Sequence, residues 1–242
     1  MIRRNDRLLA GLTAITDDLV ARTRRLTFAA PVSHTYHPLV YARTGYDRYL
    51  NRFGRSVKPV VLVGMNPGPF GMTQTGVPFG DAAMVMDWMG IEVPVLQPEK
   101  PHPKRPVWGF SCARKEVSGQ RLWGWARRRY GSPEAFFEQF LVLNYCPLVF
   151  MEASGRNRTP DKLAPAEKKR LFRICDEALR QSIELIQPRW VVGVGVFAEK
   201  RVGLSLTGLD LTTGVITHPS PANPKANRGW AERVESQLTA LG

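Results

Sequence analysis

Four segments, far apart in the chain, each place residues capable of chemistry directly after a short apolar run. PVVLVG (59–64) leads into GMNPGPFGMTQTGVPFGD (64–81), and LVLNY (141–145) into NYCPL (144–148). RWVVGVG (189–195) leads into GVGVFAEK (193–200), and GVIT (214–217) into THPSPANPKANRGW (217–230). Asn66 sits among prolines and glycines that stiffen its loop and let the backbone approach a ligand closely. Its carboxamide can orient water but is not a general base. Asn144 closes the second run and offers a donor and an acceptor together, so a fixed amide can read a ligand edge of opposite pattern. His218 follows a strand end and heads a loop rich in Pro and Asn; a neutral imidazole there donates one hydrogen bond. Each residue also has a plain structural reading. Asn66 caps a turn before proline, Asn144 bonds its own backbone, and His218 is a buried structural histidine. His34, His37 and His102 lie in segments without such context, and no role is assigned to them.

The elements that must position these residues follow from hydrophobic patterning. The four apolar runs are short and flanked by Pro and Gly, as buried strands are. Amphipathic helices separate several of them. Leu8, Leu9, Leu12, Ile15, Leu19 and Val20 share one helical face, as do Leu171, Ile174, Cys175, Ala178, Ser182, Leu185 and Ile186 before Pro188. Trp230, Val234, Leu238 and Leu241 share a third, and Ser132-Pro133 is a helix start. Apolar strands alternating with such helices predict one α/β domain with a parallel sheet covered on both faces. In that arrangement all four segments leave the sheet at one edge, where ligands bind.

Charge and motifs narrow the chemistry. The 242-residue chain carries a formal net charge of +13, which suits a polyanionic partner because neutralised phosphates release counterions. Cys112, Cys146 and Cys175 are scattered without a CxxC pair, which argues against a zinc site, an iron–sulfur cluster or a disulfide framework. No metal and no cofactor is expected. There is no GxxxxGK[ST], HExxH or GxSxG segment, and GVGVFA (193–198) lacks the third glycine and the distant acid of a dinucleotide fingerprint. No run of about 18 apolar residues exists to span a membrane, and the N-terminal stretch carries acids within its apolar stripe, unlike a secretory leader. The expected setting is intracellular: cytoplasm in a prokaryote, nucleus in a eukaryote. Nothing suggests coiled-coil pairing, so a monomer is expected.

GMNPGPFGMTQTGVPFGD, RPVWGFSCARKEVSGQRLWG (105–124), NYCPLVFMEASGRNRTP (144–160) and HPSPANPKANRGW (218–230) resemble the single-strand-selective monofunctional uracil-DNA glycosylases, from about residue 35 to residue 235. The resemblance implies a single three-layer α/β/α domain over 1–242 with a central four-stranded parallel sheet, residues 1–34 packing on it as a helical extension. It implies excision of uracil and 5-substituted uracils from DNA, leaving an abasic site. It assigns Asn66 to the attacking water and His218 to the uracil O2, where negative charge develops as the glycosidic bond breaks. Relatives with Asp in place of Asn66 are the fastest of the superfamily, so slower chemistry is expected here. The implied base pocket comprises Gly64, Met65, Gly68, Phe70, Met72, Phe79 and Asn144. Phe79 stacks on the extruded base, Asn144 pairs with N3–H and O4, and Gly68 leaves room at the 5-position, which in the family accepts 5-hydroxymethyluracil through water. Asp81 reads as the cap of a helix over 82–89.

The implied DNA contacts are Gly155, Arg156, Asn157 and Arg158 in one loop, Gly195 at a helix start, and Pro219, Ser220, Pro221, Asn223, Lys225 and Arg228 in the last loop. Ala222 departs from the arginine often found at this place, which weakens the expected wedging of a duplex. Arg127, Arg128 and Arg129 read as a solvated helix face. Among the lysines of the four loops only Lys225 has any prospect of a Schiff base, so a monofunctional reaction is expected. Two alternatives stay open: a glycosylase of the same fold acting on deaminated purines such as xanthine and hypoxanthine, and a non-catalytic single-strand binder.

Overall fold

The computed structural model of the protein describes residues 2–241. Its strands are β1 (His34–Tyr36), β2 (Val60–Gly64), β3 (Phe140–Asn144), β4 (Val149–Met151), β5 (Asn157–Arg158), β6 (Trp190–Val194) and β7 (Thr212–Ile216). The main helices are α1 (Ile2–Thr23), α2 (Pro38–Tyr41), α3 (Arg43–Phe53), α4 (Met72–Thr75) and α5 (Ala82–Asp87), then α6 (Val117–Tyr130), α7 (Pro133–Gln139), α8 (Pro165–Ile186), α9 (Val196–Ser205) and α10 (Trp230–Thr239).

Four strands form a wholly parallel sheet in the order β3-β2-β6-β7. Val61, Leu62 and Val63 are all fully buried. Successive strand residues face opposite ways, so both faces of the sheet are covered. Helix α9 packs on β6, β7 and β2, α8 lies against α9, and α1 lies along α8. Helices α6, α7 and α10 form a second group that meets the sheet at β3 and β7. The fold is the α/β arrangement expected from the alternating pattern, and the four predicted strands lie within one or two residues of their expected places.

Local signals account for the helix ends. Asp81 Oδ1 accepts from the Met84 amide at 3.3 Å and caps α5, which ends at Asp87 instead of continuing to 89. Ser132 caps α7, with Pro133 in its first turn. Helix α8 stops at Gln187, which takes a left-handed backbone before Pro188. Leu8, Leu12 and Leu19 of α1 are buried, and Leu9, Ile15 and Val20 pack against the same core.

A second sheet was not foreseen. β1, β4 and β5 pair antiparallel in the order β1-β4-β5. Its strands have two or three residues each, too few to carry a period of two. It anchors an irregular arm over residues 101–116. The Tyr36 hydroxyl donates to Arg105 O at 2.8 Å and accepts from the His102 amide at 2.6 Å. His102 Nε2 lies 2.9 Å from Glu152 O, and Arg105 Nε donates to Gly155 O at 2.8 Å. His102 is thus a structural histidine of this junction.

Gln74 ties the arm to the first strand-end loop. It is fully buried, donates from Nε2 to Pro69 O at 3.0 Å and Pro106 O at 3.2 Å, and accepts at Oε1 from Trp108 N at 2.8 Å and Gly109 N at 3.2 Å. An apolar replacement strands several backbone groups without partners. Gln74→Leu should cost about 3 kcal/mol of stability, read as a lower urea midpoint with an unchanged slope; a midpoint equal to wild type would show that the junction is dispensable.

Candidate active site

Strand register brings the chemistry together. Gly64 pairs with Asn144, and Val194 with Ile216, so β2, β3, β6 and β7 end along one edge. The ladder continues past the strands: Tyr145 N donates to Gly64 O and Cys146 N to Met65 O, both at 2.9 Å. Above this edge lies a cavity of about 700 Å³. Asn66, Phe79, Asn144 and His218 all line it, with Met65, Gly68, Phe70 and Met72.

Two strand-end glycines permit the convergence. A Cβ on Gly64 would stand 2.5 Å from Asn144 Oδ1 and 2.7 Å from Phe79 Cε2. Only a hydrogen leaves room for both side chains. Gly195 has φ +89°, and a Cβ there would stand 2.9 Å from His218 Cβ. The Gly195 amide donates to Ile216 O at 2.8 Å. That hydrogen bond is internal, so Gly195 supports His218 and does not offer its N–H to a phosphate as expected.

Each polar side chain is half committed to the protein. Asn66 Nδ2 donates to Leu148 O at 3.0 Å, which frees Oδ1 as an acceptor. His218 Nδ1 accepts from the Ser220 amide at 3.0 Å, which puts the ring proton on Nε2. Burial pushes the His218 imidazole down to about 4 from its usual 6.5. A neutral ring donating from Nε2 follows. Asn144 Nδ2 rests 3.2 Å from the Met72 sulfur, a weak acceptor that a better one displaces.

Phe79 takes a left-handed backbone (φ 52°), unusual for a bulky residue and found at constrained sites. Trp123 Nε1 and the Asp81 amide both donate to Phe79 O, at 3.0 and 2.8 Å. A Cβ on Gly119 would stand 2.0 Å from the same oxygen, so α6 is pressed against this turn. The Phe79 and His218 rings lie 6.2 Å apart, centre to centre.

The rim separates the expected nucleic-acid contacts. Ser220, Pro221, Ala222 and Asn223 line the cavity, while Lys225 and Arg228 are exposed beyond it. Lys225 is therefore not at the pocket. Arg121 holds this loop by donating to Pro219 O at 2.9 Å and Asn227 Oδ1 at 3.0 Å. In the other loop only Asn157 of the expected residues lines the cavity, joined by Thr159. Arg158 is spent on Glu152 Oε1 at 2.9 Å and Lys162 O at 2.8 and 3.0 Å. Gly155 (φ 84°) is a turn residue against the arm, and Arg156 is exposed.

Residues 52–237 match the model of the uracil DNA glycosylase superfamily. The chain belongs to this superfamily. Over 226 residues, 93% of this chain and 81% of theirs, it is 45% identical to the single-strand selective monofunctional uracil DNA glycosylase of Mus musculus and 46% identical to that of Rattus norvegicus. The crystal structure of wild-type SMUG2 from Pedobacter heparinus superposes with a TM-score of 0.67 at 19% identity, over 94% of this chain and 97% of that one, a likeness of fold.

Sequence reasoning passed over part of this superfamily member's pocket. Arg114, Lys115, Glu116, Val117 and Ser118 form a wall of the cavity. They come from the arm and the start of α6, where no strand end or hydrophobic period points to them. The Arg114 guanidinium lies 4.2 Å over the Phe70 ring and that of Arg105 lies 5.5 Å from it, so Phe70 is a platform for cations at the rim. Burial raises the Glu116 carboxyl above its usual range, opposed by hydrogen bonds from Ser118 and Gly119 and reinforced by the Asp81 carboxylate.

The His218 arrangement has a measurable consequence. A folded value near 4, below the usual 6.5, means that the unfolded chain takes up this proton first as pH falls. The stabilisation is complete above about pH 6.5 and is lost as pH drops through 4; buried His37, also lowered to about 4, acts in the same direction. ¹⁵N NMR of the imidazoles should find His218 neutral with its proton on Nε2 at pH 5.5, and a charged ring at that pH would contradict the geometry.

Proposed function

We propose that this protein hydrolyses the N-glycosidic bond of uracil and 5-substituted uracils in DNA and leaves an intact abasic site. The observation that carries the reading is the meeting of two amides, one imidazole and one phenyl ring in a single cavity, brought from three separate strand ends.

The nucleotide must leave its stack, at a cost of a few kcal/mol that is least on single strands. Stacking on Phe79 returns about 1–3 kcal/mol. Asn144 donates to O4 from Nδ2 and accepts N3–H at Oδ1. Cytosine presents the reverse pattern and would leave buried groups unpaired. As the C1′–N1 bond lengthens, negative charge gathers on the base and the His218 Nε2–H holds it at O2. Such a donor needs no reorganisation, because Ser220 has already fixed the tautomer. Asn66 Oδ1 accepts a hydrogen bond from the water that attacks C1′, and its Nδ2 stays anchored on Leu148.

The DNA contacts divide in the same reading. Ser220, Pro221 and Asn223 meet the extruded nucleotide at the rim, and Arg114, Lys115, Arg156, Lys225 and Arg228 supply field to the flanking phosphates. A formal net charge of +13 supports binding that weakens with salt. With Ala222 at the loop tip, single strands are the favoured substrate.

Asn66→Ala and His218→Ala should each lower single-turnover excision of uracil by about 10²–10³-fold, the usual effect of removing a preorganised transition-state contact. Affinity for an oligonucleotide bearing an uncleavable uracil analogue should stay within about threefold of wild type in both variants. Unchanged excision in either variant refutes its role, and loss of binding in parallel with rate would reduce both residues to structural ones.

A further inference from the structure

Five of the six tryptophans are tied into the protein. The indole N–H groups of Trp88, Trp123, Trp125, Trp190 and Trp230 donate to Gly131 O, Phe79 O, Glu235 Oε1, Leu241 O and Thr217 O. Trp108 differs. It is 53% exposed, and its Nε1 has no acceptor among the described residues. A lone exposed apolar side chain is ordinary. The setting of this one is not.

The backbone that carries the indole is fixed. Trp108 N and Gly109 N both donate to Gln74 Oε1, at 2.8 and 3.2 Å, and the Val107 carbonyl accepts from Gln97 Nε2 at 2.9 Å. Gln74 Nε2 donates to Pro69 O, so one carboxamide ties Trp108 to the loop that brings Phe70 into the cavity wall. Arg105 and Arg114 flank Trp108 in the chain, and both guanidiniums reach the same Phe70 ring, at 5.5 and 4.2 Å. Arg114 and Lys115 are exposed, and neither pairs with a carboxylate among the described residues. An exposed indole, a ring at the cavity wall and two unpaired cations therefore form one patch, continuous with the pocket.

Aromatic rings interleaved with cations make a surface that suits an unpaired nucleic-acid strand. Bases of any sequence stack on the rings, and the phosphates between them lie along the cations. We infer that Trp108 is a stacking platform for an unpaired base flanking the target nucleotide, with Arg114 and Lys115 taking the phosphates between the two. The inference rests on the uracil-excision reading, which puts the target base in the cavity beside Phe70. In a duplex the flanking base is already stacked and paired, and it must be freed at a cost before the indole can meet its face. The platform thus rewards single strands without touching the chemistry, and it does so independently of Ala222.

The test is equilibrium binding of the full chain, at one salt concentration, to oligonucleotides that carry a single uncleavable uracil analogue. The analogue is placed in a single strand, in the same strand with abasic spacers on its 5′ or its 3′ side, and in a duplex. Trp108→Ala should weaken single-strand binding by about tenfold and leave duplex binding within about twofold of wild type. In the wild type, spacers on one side only should cause the same loss. In Trp108→Ala those spacers should cause no further loss, a pattern that a merely structural residue does not produce. Trp108→Phe, which keeps a stacking ring, should recover most of the affinity. Single-strand affinity within about twofold of wild type in Trp108→Ala, an equal loss on the duplex, or losses from variant and spacers that simply add would overturn the inference. A wild-type chain that releases no uracil from a cleavable single strand would instead overturn the excision reading on which the inference stands.

Discussion

The absence of a side chain at two strand ends is the constraint on which the site depends. Gly64 ends β2 where Asn144 and Phe79 both need its space, and Gly195 follows β6 where His218 crosses it. A parallel sheet brings its strand ends to one edge, but ordinary side chains there would hold the loops apart by the width of a methyl group. Gly195 meets two demands at once, since its φ of +89° is one that L side chains rarely adopt. The sheet therefore supplies the edge, and the glycines turn that edge into a closed set of contacts.

A second regularity concerns how polar groups are spent. In Asn66 and His218, which both line the cavity, one hydrogen-bonding atom is used on the backbone and the other is left free. The backbone bond selects which face of an amide, or which tautomer of an imidazole, is presented. Orientation is thus settled during folding and costs nothing when a ligand arrives. His218 illustrates the economy: the Ser220 amide claims Nδ1, burial keeps the ring uncharged, and a lone donor remains. A charged imidazole would donate from both nitrogens and break the contact that orients it.

Much of this was legible in the sequence because the sheet writes itself plainly. β2, β3 and β6 are buried almost throughout, so their residues are apolar without alternation, and they stand out between helices whose apolar stripes recur at the helical period; β7, an edge strand that begins with two exposed threonines, shows the pattern only at its end. Asn66, Asn144 and His218 were legible because they stand at or just beyond the ends of those runs, whereas Phe79, well past β2 and beyond α4, was legible only through the family motif that holds it. The arm over 101–116 was not, since it has no period and is held by hydrogen bonds from Tyr36, Gln74 and His102 that come from distant parts of the chain. Charge misled for a related reason. Arg156 and Arg158 look alike in sequence, yet Arg158 is consumed by Glu152 and the Lys162 carbonyl, and only pairing in space distinguishes a free cation from a spent one.

Phe79 joins stability to function most directly. Its left-handed backbone is a conformation that a bulky residue adopts at a cost of about 1–3 kcal/mol. The cost is offset where its carbonyl receives the Trp123 indole and the Asp81 amide, while Asp81 in turn caps α5 and binds the Glu116 amide. One strained turn thereby sets the stacking ring, the start of α5 and the entry to α6 together. Relaxing that turn would swing the ring off the cavity and withdraw the support of the Glu116 wall. The strain persists because α5, through its Asp81 cap, and α6, through Trp123 and Gly119, both fix this turn, so the stacking platform stands ready before any base enters.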